Sequence, residues 1–202
     1  MTTGAEPRLA PLPREQWDAD VEGALRGAFA PGVAERFLST GSDAIPVPEA
    51  ITTMLHNPEL ARTWLTFNNV LLWNPLLEGR QRELMVLRVA WRTRSNYEWL
   101  QHVALAPRFD ITSSEIEAVA AGTYGEFKLL DQALLDATDQ LVDDYRVDDA
   151  TWAVLAEHLD AAQLVEVVFV VGAYTCLAMA FKSFGLQLEP PAGASATALP
   201  DS

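Results

Sequence analysis

Apolar residues recur along most of the chain at three- and four-residue spacing, and no stretch alternates with period two long enough to build a sheet. The pattern predicts an all-α fold. A first amphipathic helix is expected over 15–29, stopped near Pro31-Gly32, and a second over 47–56, with Pro48 in its first turn and Asn57-Pro58 as its stop. A longer helix runs from about Glu59 to Trp73 and ends at Asn74-Pro75. The next covers 79–93, with Leu84, Leu87, Val89, Ala90 and Trp91 apolar. A break at Thr93-Arg94-Ser95 leads into a helix from about Asn96 to Ala106, closed by Pro107. Thr112 stands three residues before Glu115, the spacing of a capping box, and Gly122 stops the helix so begun. Segments 126–144, 149–158 and 161–184 complete the set.

Residues 14–189 are read as one domain. The flanking 1–13 and 190–202 are rich in proline and small polar residues, cannot bury enough surface to offset their ordering entropy, and are expected to be mobile or draped over the surface. Half of the 202 residues are apolar, with six Trp and eight Phe, so a core is expected and disorder of the whole chain is excluded. Cys176 is the only cysteine, which excludes a disulfide scaffold and a cysteine-based zinc site. It lies in an apolar run, where cysteines are commonly buried and inert.

The charge is lopsided: 28 acidic against 14 basic side chains, a formal net charge of -14. This balance argues against nucleic acid as a partner, because phosphate binding needs a field of Lys and Arg. The longest apolar stretch, Leu164 to Phe184, contains Glu166 and Lys182 and reads as a buried helix rather than a membrane span. No signal-peptide core opens the chain, so a cytoplasmic location is the default expectation, with no membrane partner.

The informative stretch is Arg80 to His102, RQRELMVLRVAWRTRSNYEWLQH. Glu98 and His102 are four apart and share a helix face, and Ser95 extends that stripe by one turn. Glu83, on the preceding helix, has to fold back to join them. A carboxylate beside an imidazole fixes the ring's tautomer and makes a proton donor or acceptor that works near neutral pH. A second buried acid pushes the two carboxyl pKa values apart, so that one serves as acid and the other as base. The competing readings are an exposed Glu98–His102 pair and a Ser95 that merely caps its helix. No Gly-x-Ser-x-Gly elbow surrounds Ser95. Five arginines, at 80, 82, 88, 92 and 94, form a positive island on an acidic chain. Arg88 is the best candidate to point inward toward a substrate carboxylate, and the alternative is that all five pair with surface acids. Glu98 and His102 can supply two metal ligands from one face, but a zinc site needs at least a third, for which His56 or Glu83 would have to serve, so no metal is expected. Glu83 to Trp91 and Glu166 to Tyr174 both place a glutamate eight residues before an aromatic on an apolar helix, too little to make a repeat.

These residues resemble the carboxymuconolactone decarboxylase family, which includes the alkyl hydroperoxidase D-like proteins. That family carries a glutamate followed twelve residues later by the start of Cys-x-x-Cys-x-x-x-His. Counted from Glu83, Ser95 falls at the first cysteine, Glu98 at the second and His102 at the histidine. Tyr97-Glu98-Trp99 is similar to the cysteine-free, decarboxylase-like branch. His56-Asn57-Pro58-Glu59-Leu60, the 111–116 segment and the stretch from 148 to 188 extend the likeness over about residues 45–188.

The resemblance implies a compact multi-helix bundle with a small-molecule pocket. It also implies a homo-oligomer, dimer, trimer or hexamer, and helix 161–184 is apolar enough to exceed what one chain buries. Without the two cysteines, dithiol peroxide reduction is not expected. What remains suits cofactor-free acid–base chemistry on a small lactone or carbonyl-activated molecule: decarboxylation, isomerisation, elimination or cyclisation. His102, Glu98, Glu83 and Ser95 are the expected catalytic set. Arg88, Tyr97, His56, Trp64 and Phe67 are the expected substrate contacts, with His56 placed there by the family layout alone. The alternative is a non-catalytic binding or assembly protein of the same fold. A redox role requires an exposed Cys176.

Overall fold

The computed structural model describes residues 6–187. The expected tail at 190–202 lies outside them, as do residues 1–5. Among the described residues there are ten α-helices, two short 3-10 turns and no strand. In chain order the helices are α1 (Ala19–Ala28), α2 (Pro31–Leu38), α3 (Glu49–Met54), α4 (Pro58–Trp73), α5 (Gly79–Arg92), α6 (Asn96–Leu105), α7 (Ser113–Ala121), α8 (Leu129–Asp144), α9 (Asp149–His158) and α10 (Ala161–Phe184).

Their ends have local causes. Asn57 accepts from the Leu60 N–H at 3.2 Å and Pro58 takes the first position of α4, where its missing N–H costs nothing. The capping box of α7 forms in both directions: Thr112 Oγ1 accepts from the Glu115 N–H at 3.3 Å, and Glu115 accepts from the Thr112 N–H at 2.8 Å. Gly122 closes that helix at φ 71°, a left-handed backbone that glycine adopts without strain. Several boundaries differ from the sequence reading: α1 begins at Ala19 rather than 15, α8 at Leu129 rather than 126, and Pro48 precedes α3 instead of lying in its first turn. Pro31-Gly32 was expected to stop a helix, yet Pro31 begins α2, because a fixed φ suits a first helical turn as well as it ends a previous one.

The described residues group into two compact units. One comprises those up to Asn74 together with those from Ser183 onward; the other is Pro75–Lys182. In the first unit α1 packs on α4 and α2, and α3 packs on α4. Val21, Ala24, Leu25, Leu55 and Ala61 form its core. Residues 6–13 are held against this unit: the Leu9 N–H donates to the Phe184 carbonyl at 3.0 Å and the Leu12 N–H to the Thr52 carbonyl at 3.1 Å.

The second unit is built around α5, which packs on α6, α7 and α8. Leu84, Leu87 and Ala90 of α5 meet Trp99 and Leu100 of α6, Val119 of α7 and Leu135 of α8 in one core. Each such buried side chain contributes roughly 1.5–3 kcal/mol of transfer free energy.

Helix α10 is long and apolar enough to cross a membrane by length and composition, and half of its apolar window is buried inside the protein. Its two charged residues have internal roles. The buried Glu166 carboxylate accepts from the Leu76 and Leu77 N–H groups at 2.8 and 3.1 Å, fixing the entry to α5. Lys182 donates to the Thr93 carbonyl at 2.6 Å, at the exit of α5. The outer face of α10 exposes Val165, Phe169 and Met179. Cys176 is exposed as well, which corrects the expectation that it is buried in its apolar run.

Candidate functional site

The turn at residues 93–95 folds α6 back along α5. Arg94 adopts a left-handed φ of 54°, uncommon for a residue with a side chain, and the Ser95 N–H reaches back to the Ala90 carbonyl at 2.9 Å. This reversal brings Glu83, from the middle of α5, against His102 in the last turn of α6. His102 Nδ1 lies 2.7 Å from Glu83 Oε1, with the imidazole 13% exposed and the carboxylate side chain 1% exposed. A ring nitrogen facing a carboxylate carries the proton, so Nδ1–H is the donor and Nε2 is left as the ring's other functional atom. The i, i+4 spacing had pointed to Glu98 as the partner of His102. The hydrogen bond goes to Glu83 instead.

Glu98 is turned into the protein. It is 3% exposed, and neither carboxyl oxygen has a hydrogen-bond partner. Burial pushes its pKa up from the usual 4.5 to about 7, offset in part by the nearby Ser95 hydroxyl and the attraction of His102. Ser95 occupies the position before α6, yet its side chain caps nothing: Oγ is buried and unpartnered beside Glu98, without hydrogen-bond geometry to it. Three polar atoms, two from Glu98 and one from Ser95, are thus buried together with no partner. Leaving a buried group unsatisfied costs roughly 1–3 kcal/mol, a cost that a polar partner reaching these atoms offsets.

Aromatic rings crowd α5, α6 and α10 here. The Trp91 and Trp99 rings meet at a tilt of 59° and a 5.1 Å centroid separation. Tyr97 meets Phe181 edge-on at 5.2 Å. Tyr174 of α10, 4% exposed, meets the His102 ring edge-on at 5.3 Å and 81°. Burial, with the negative charges of Glu83 and Glu98, raises the Tyr174 phenol well above its usual value, against a lowering by Arg82. Tyr174 and Arg82 are the residues that sequence reasoning did not assign. Arg82 was one of five in the island, and is distinguished by being buried with its guanidinium 5.3 Å over the Phe109 ring. Tyr174 comes from a distant helix, and its only signal was the glutamate–aromatic echo on α10.

The expected substrate contacts fare differently. Arg88 does point inward, but its guanidinium is engaged. It pairs with Asp139 at 2.6 and 2.9 Å, donates to the Val119 carbonyl at 2.7 Å, and lies over the Tyr124 ring at 5.5 Å. The expectation of a substrate carboxylate on Arg88 is corrected accordingly. His56, Trp64 and Phe67 belong to the first unit. There His56 Nε2 lies 2.9 Å from the Ala10 carbonyl, and Trp64 packs edge-on against Phe67 at 5.7 Å. Two open clefts, of about 530 and 410 Å³, also belong to the first unit; Asp20, Glu59 and Arg62 line the larger, and Arg14, Trp17 and Thr52 the smaller. Neither includes the buried cluster of Glu83, Glu98 and His102. Among the described residues, no group of three or more His, Cys, Asp or Glu side chains is disposed to hold a metal ion.

Comparison with known proteins sharpens this picture. Residues 58–125 match the model of the carboxymuconolactone decarboxylase family. No curated protein matches the sequence. Several solved structures share the fold. A peroxidase-related protein from Silicibacter sp. TM1040 superposes with a TM-score of 0.71 at 15% identity, covering 93% of this chain and 94% of that one. A peroxidase-related protein from Ralstonia eutropha JMP134, described as an alkylhydroperoxidase AhpD core, gives 0.69 at 18% identity over 92% of this chain and 94% of its own. The debrominase Bmp8, solved in complex with 2,3,4-tribromopyrrole, gives 0.68 at 16% identity over 91% of this chain and 94% of its own. The matched residues 58–125 carry Glu83, Ser95, Glu98 and His102 together, so the likeness to the carboxymuconolactone decarboxylase family runs through the candidate site.

Proposed function

We propose that this protein is a cofactor-free acid–base enzyme of the carboxymuconolactone decarboxylase type, acting on a small lactone or carbonyl-activated molecule. The observation that carries the reading is the buried, unpartnered Glu98, poised to change protonation near pH 7. A general base is most effective when its pKa lies near the working pH. Glu98 removes a proton from the carbon next to the substrate carbonyl, and the electron pair moves onto the carbonyl oxygen as an enolate. Ser95 donates a hydrogen bond to substrate or water. Nε2 of His102, oriented by Glu83 through Nδ1–H, takes up a proton from solvent and passes it to a second carbon or to oxygen, while Glu98 returns the proton it removed to solvent. Return of a proton to a different carbon is isomerisation; where the carbon next to the carbonyl instead bears a carboxylate, loss of carbon dioxide in place of proton removal gives the same enolate, and protonation completes a decarboxylation.

The positions of the family's two cysteines hold Ser95 and Glu98, and Cys176 has no second thiol in this sequence, so the chemistry proposed is not dithiol peroxide reduction. A debrominase of the same fold that holds a small organic ring supports a small-molecule site in this architecture.

The test is proton exchange. The protein is incubated in heavy water with small lactones and ketones whose α-hydrogens exchange slowly in buffer, and deuterium incorporation is read by NMR. Wild-type protein should accelerate exchange on at least one probe, and Glu98→Gln and His102→Ala should each abolish the acceleration while staying folded. Equal exchange in both variants and wild type removes the mechanism.

A further inference from the structure

An imidazole held by one hydrogen bond is not yet oriented. The torsion about its Cβ–Cγ bond is soft, and a half-turn carries Nδ1 away from its acceptor and puts a carbon there instead. Glu83 supplies one constraint on His102, at 2.7 Å. A second comes from α10. Tyr174 and Phe181 are seven residues apart, two turns along one face of that helix, and both are buried. Their rings meet His102 and Tyr97 of α6 respectively, at 5.3 and 5.2 Å, both edge-on. The later α6 residue meets the earlier α10 residue, so the two helices run antiparallel and are spanned by two aromatic contacts. Only one of these contacts falls on an imidazole.

We propose that Tyr174 is a positioning residue for His102: the edge of its ring fixes the imidazole plane so that Nδ1 stays on Glu83 and Nε2 remains the nitrogen available to substrate. The inference rests on the acid–base reading of this site and assigns a device that reading lacks, a fixed imidazole supplied by a helix remote in sequence. The ring does this work and the hydroxyl is dispensable for it. Phe181 is the internal control, since it makes the same kind of contact on the same face without touching His102.

The experiment reads the His102 tautomer by the nitrogen chemical shifts of its ring, with circular dichroism as the check of folding, in wild type, Tyr174→Phe, Tyr174→Leu and Phe181→Leu. Wild type and Tyr174→Phe should show one dominant tautomer with the proton on Nδ1. Tyr174→Leu should show a mixture, with deuterium exchange on the responsive probe reduced about two- to tenfold, the range set by loss of one edge-to-face ring contact. Phe181→Leu should keep the wild-type tautomer even where it lowers thermal stability. A Tyr174→Leu protein that keeps the wild-type tautomer overturns the positioning role and leaves the acid–base site standing. Loss of the tautomer in Phe181→Leu to the same extent also overturns it, since any loosening of α10 then suffices. Should Tyr174→Leu not fold, the wild-type protein decides: nuclear Overhauser contacts between the two rings support the proposal and their absence overturns it. A wild-type ring that averages between tautomers overturns both the positioning role and the acid–base reading beneath it.

Discussion

Helix α5 carries two sets of charged residues that are treated in opposite ways. Arg80 pairs with Glu115 and Asp131 at 2.5 and 3.2 Å. Arg88 and Arg92 share Asp139 at 2.6 and 2.8 Å, Arg92 also holds Asp143 at 2.5 Å, and the Tyr124 hydroxyl donates to Asp139 at 2.9 Å. Every group in that network has a partner, and Arg80 beside Glu115 holds its carboxyl below the usual carboxylate range. Around Glu83 the accounting is different. His102 has one partner, Glu98 and Ser95 have none, and burial drives Glu98 upward. The first set ties α5 to α7 and α8 and is complete as it stands. The second leaves three buried polar atoms, two on Glu98 and one on Ser95, without partners. The difference between the two sets is therefore one of satisfaction and not of proximity.

The comparison can be broken at its sharpest point by exchanging the roles of the two sets. Glu83→Gln should lower turnover about 10²–10⁴-fold, the usual worth of a positioned acid or base, with little change in the urea midpoint, because the amide oxygen still accepts from His102 Nδ1–H. Arg88→Met should do the reverse. Removing one partner of a largely buried ion pair leaves Asp139 short of its main counter-charge, and about 3 kcal/mol of stability should be lost in urea unfolding, with exchange per folded molecule unchanged. If Arg88→Met lost activity while stability held, the division between the sets would be wrong.

The next effect is in pH. Glu98 has its proton affinity raised in the folded state, from 4.5 to about 7. Its favourable contribution is fully present below pH 4.5 and is lost as pH rises through about 7. Stability should accordingly decline by about 3 kcal/mol across that window, and the decline should flatten in Glu98→Gln. Urea titrations at a series of pH values measure both.

The smallest effect lies outside both sets. Thr112→Ala removes an exposed helix cap and should cost about 1 kcal/mol with no change in exchange activity.

Much of the fold could be read from local chemistry. Asn57-Pro58, Asn74-Pro75, Thr112 with Glu115, and Gly122 mark helix ends because each acts through its own backbone or the next turn. Pro31 was ambiguous because a proline can end one helix or begin the next. Residues 83, 95, 98 and 102 stood out by spacing, but their pairing was not legible. Helical spacing allows Glu98 to meet His102 and says nothing about the reversal at Arg94 that presents Glu83 first. Ser95 sits where a capping serine would sit, and only its side-chain direction shows that it does not cap. Arg88 turns inward, but its partner, Asp139, lies on α8, beyond the reach of any local rule. Tyr174 and the exposure of Cys176 depend on which face α10 turns to the core, and a helix apolar on all sides does not announce that face.

The proposed mechanism depends on Glu98 being a buried acid poised near neutrality. Its carboxyl carbon, followed by carbon NMR in protein labelled at glutamate and assigned with Glu98→Gln, reports this directly. A titration midpoint near 7 is the predicted result. A midpoint near the ordinary 4.5 would show a solvated carboxylate and contradict the account.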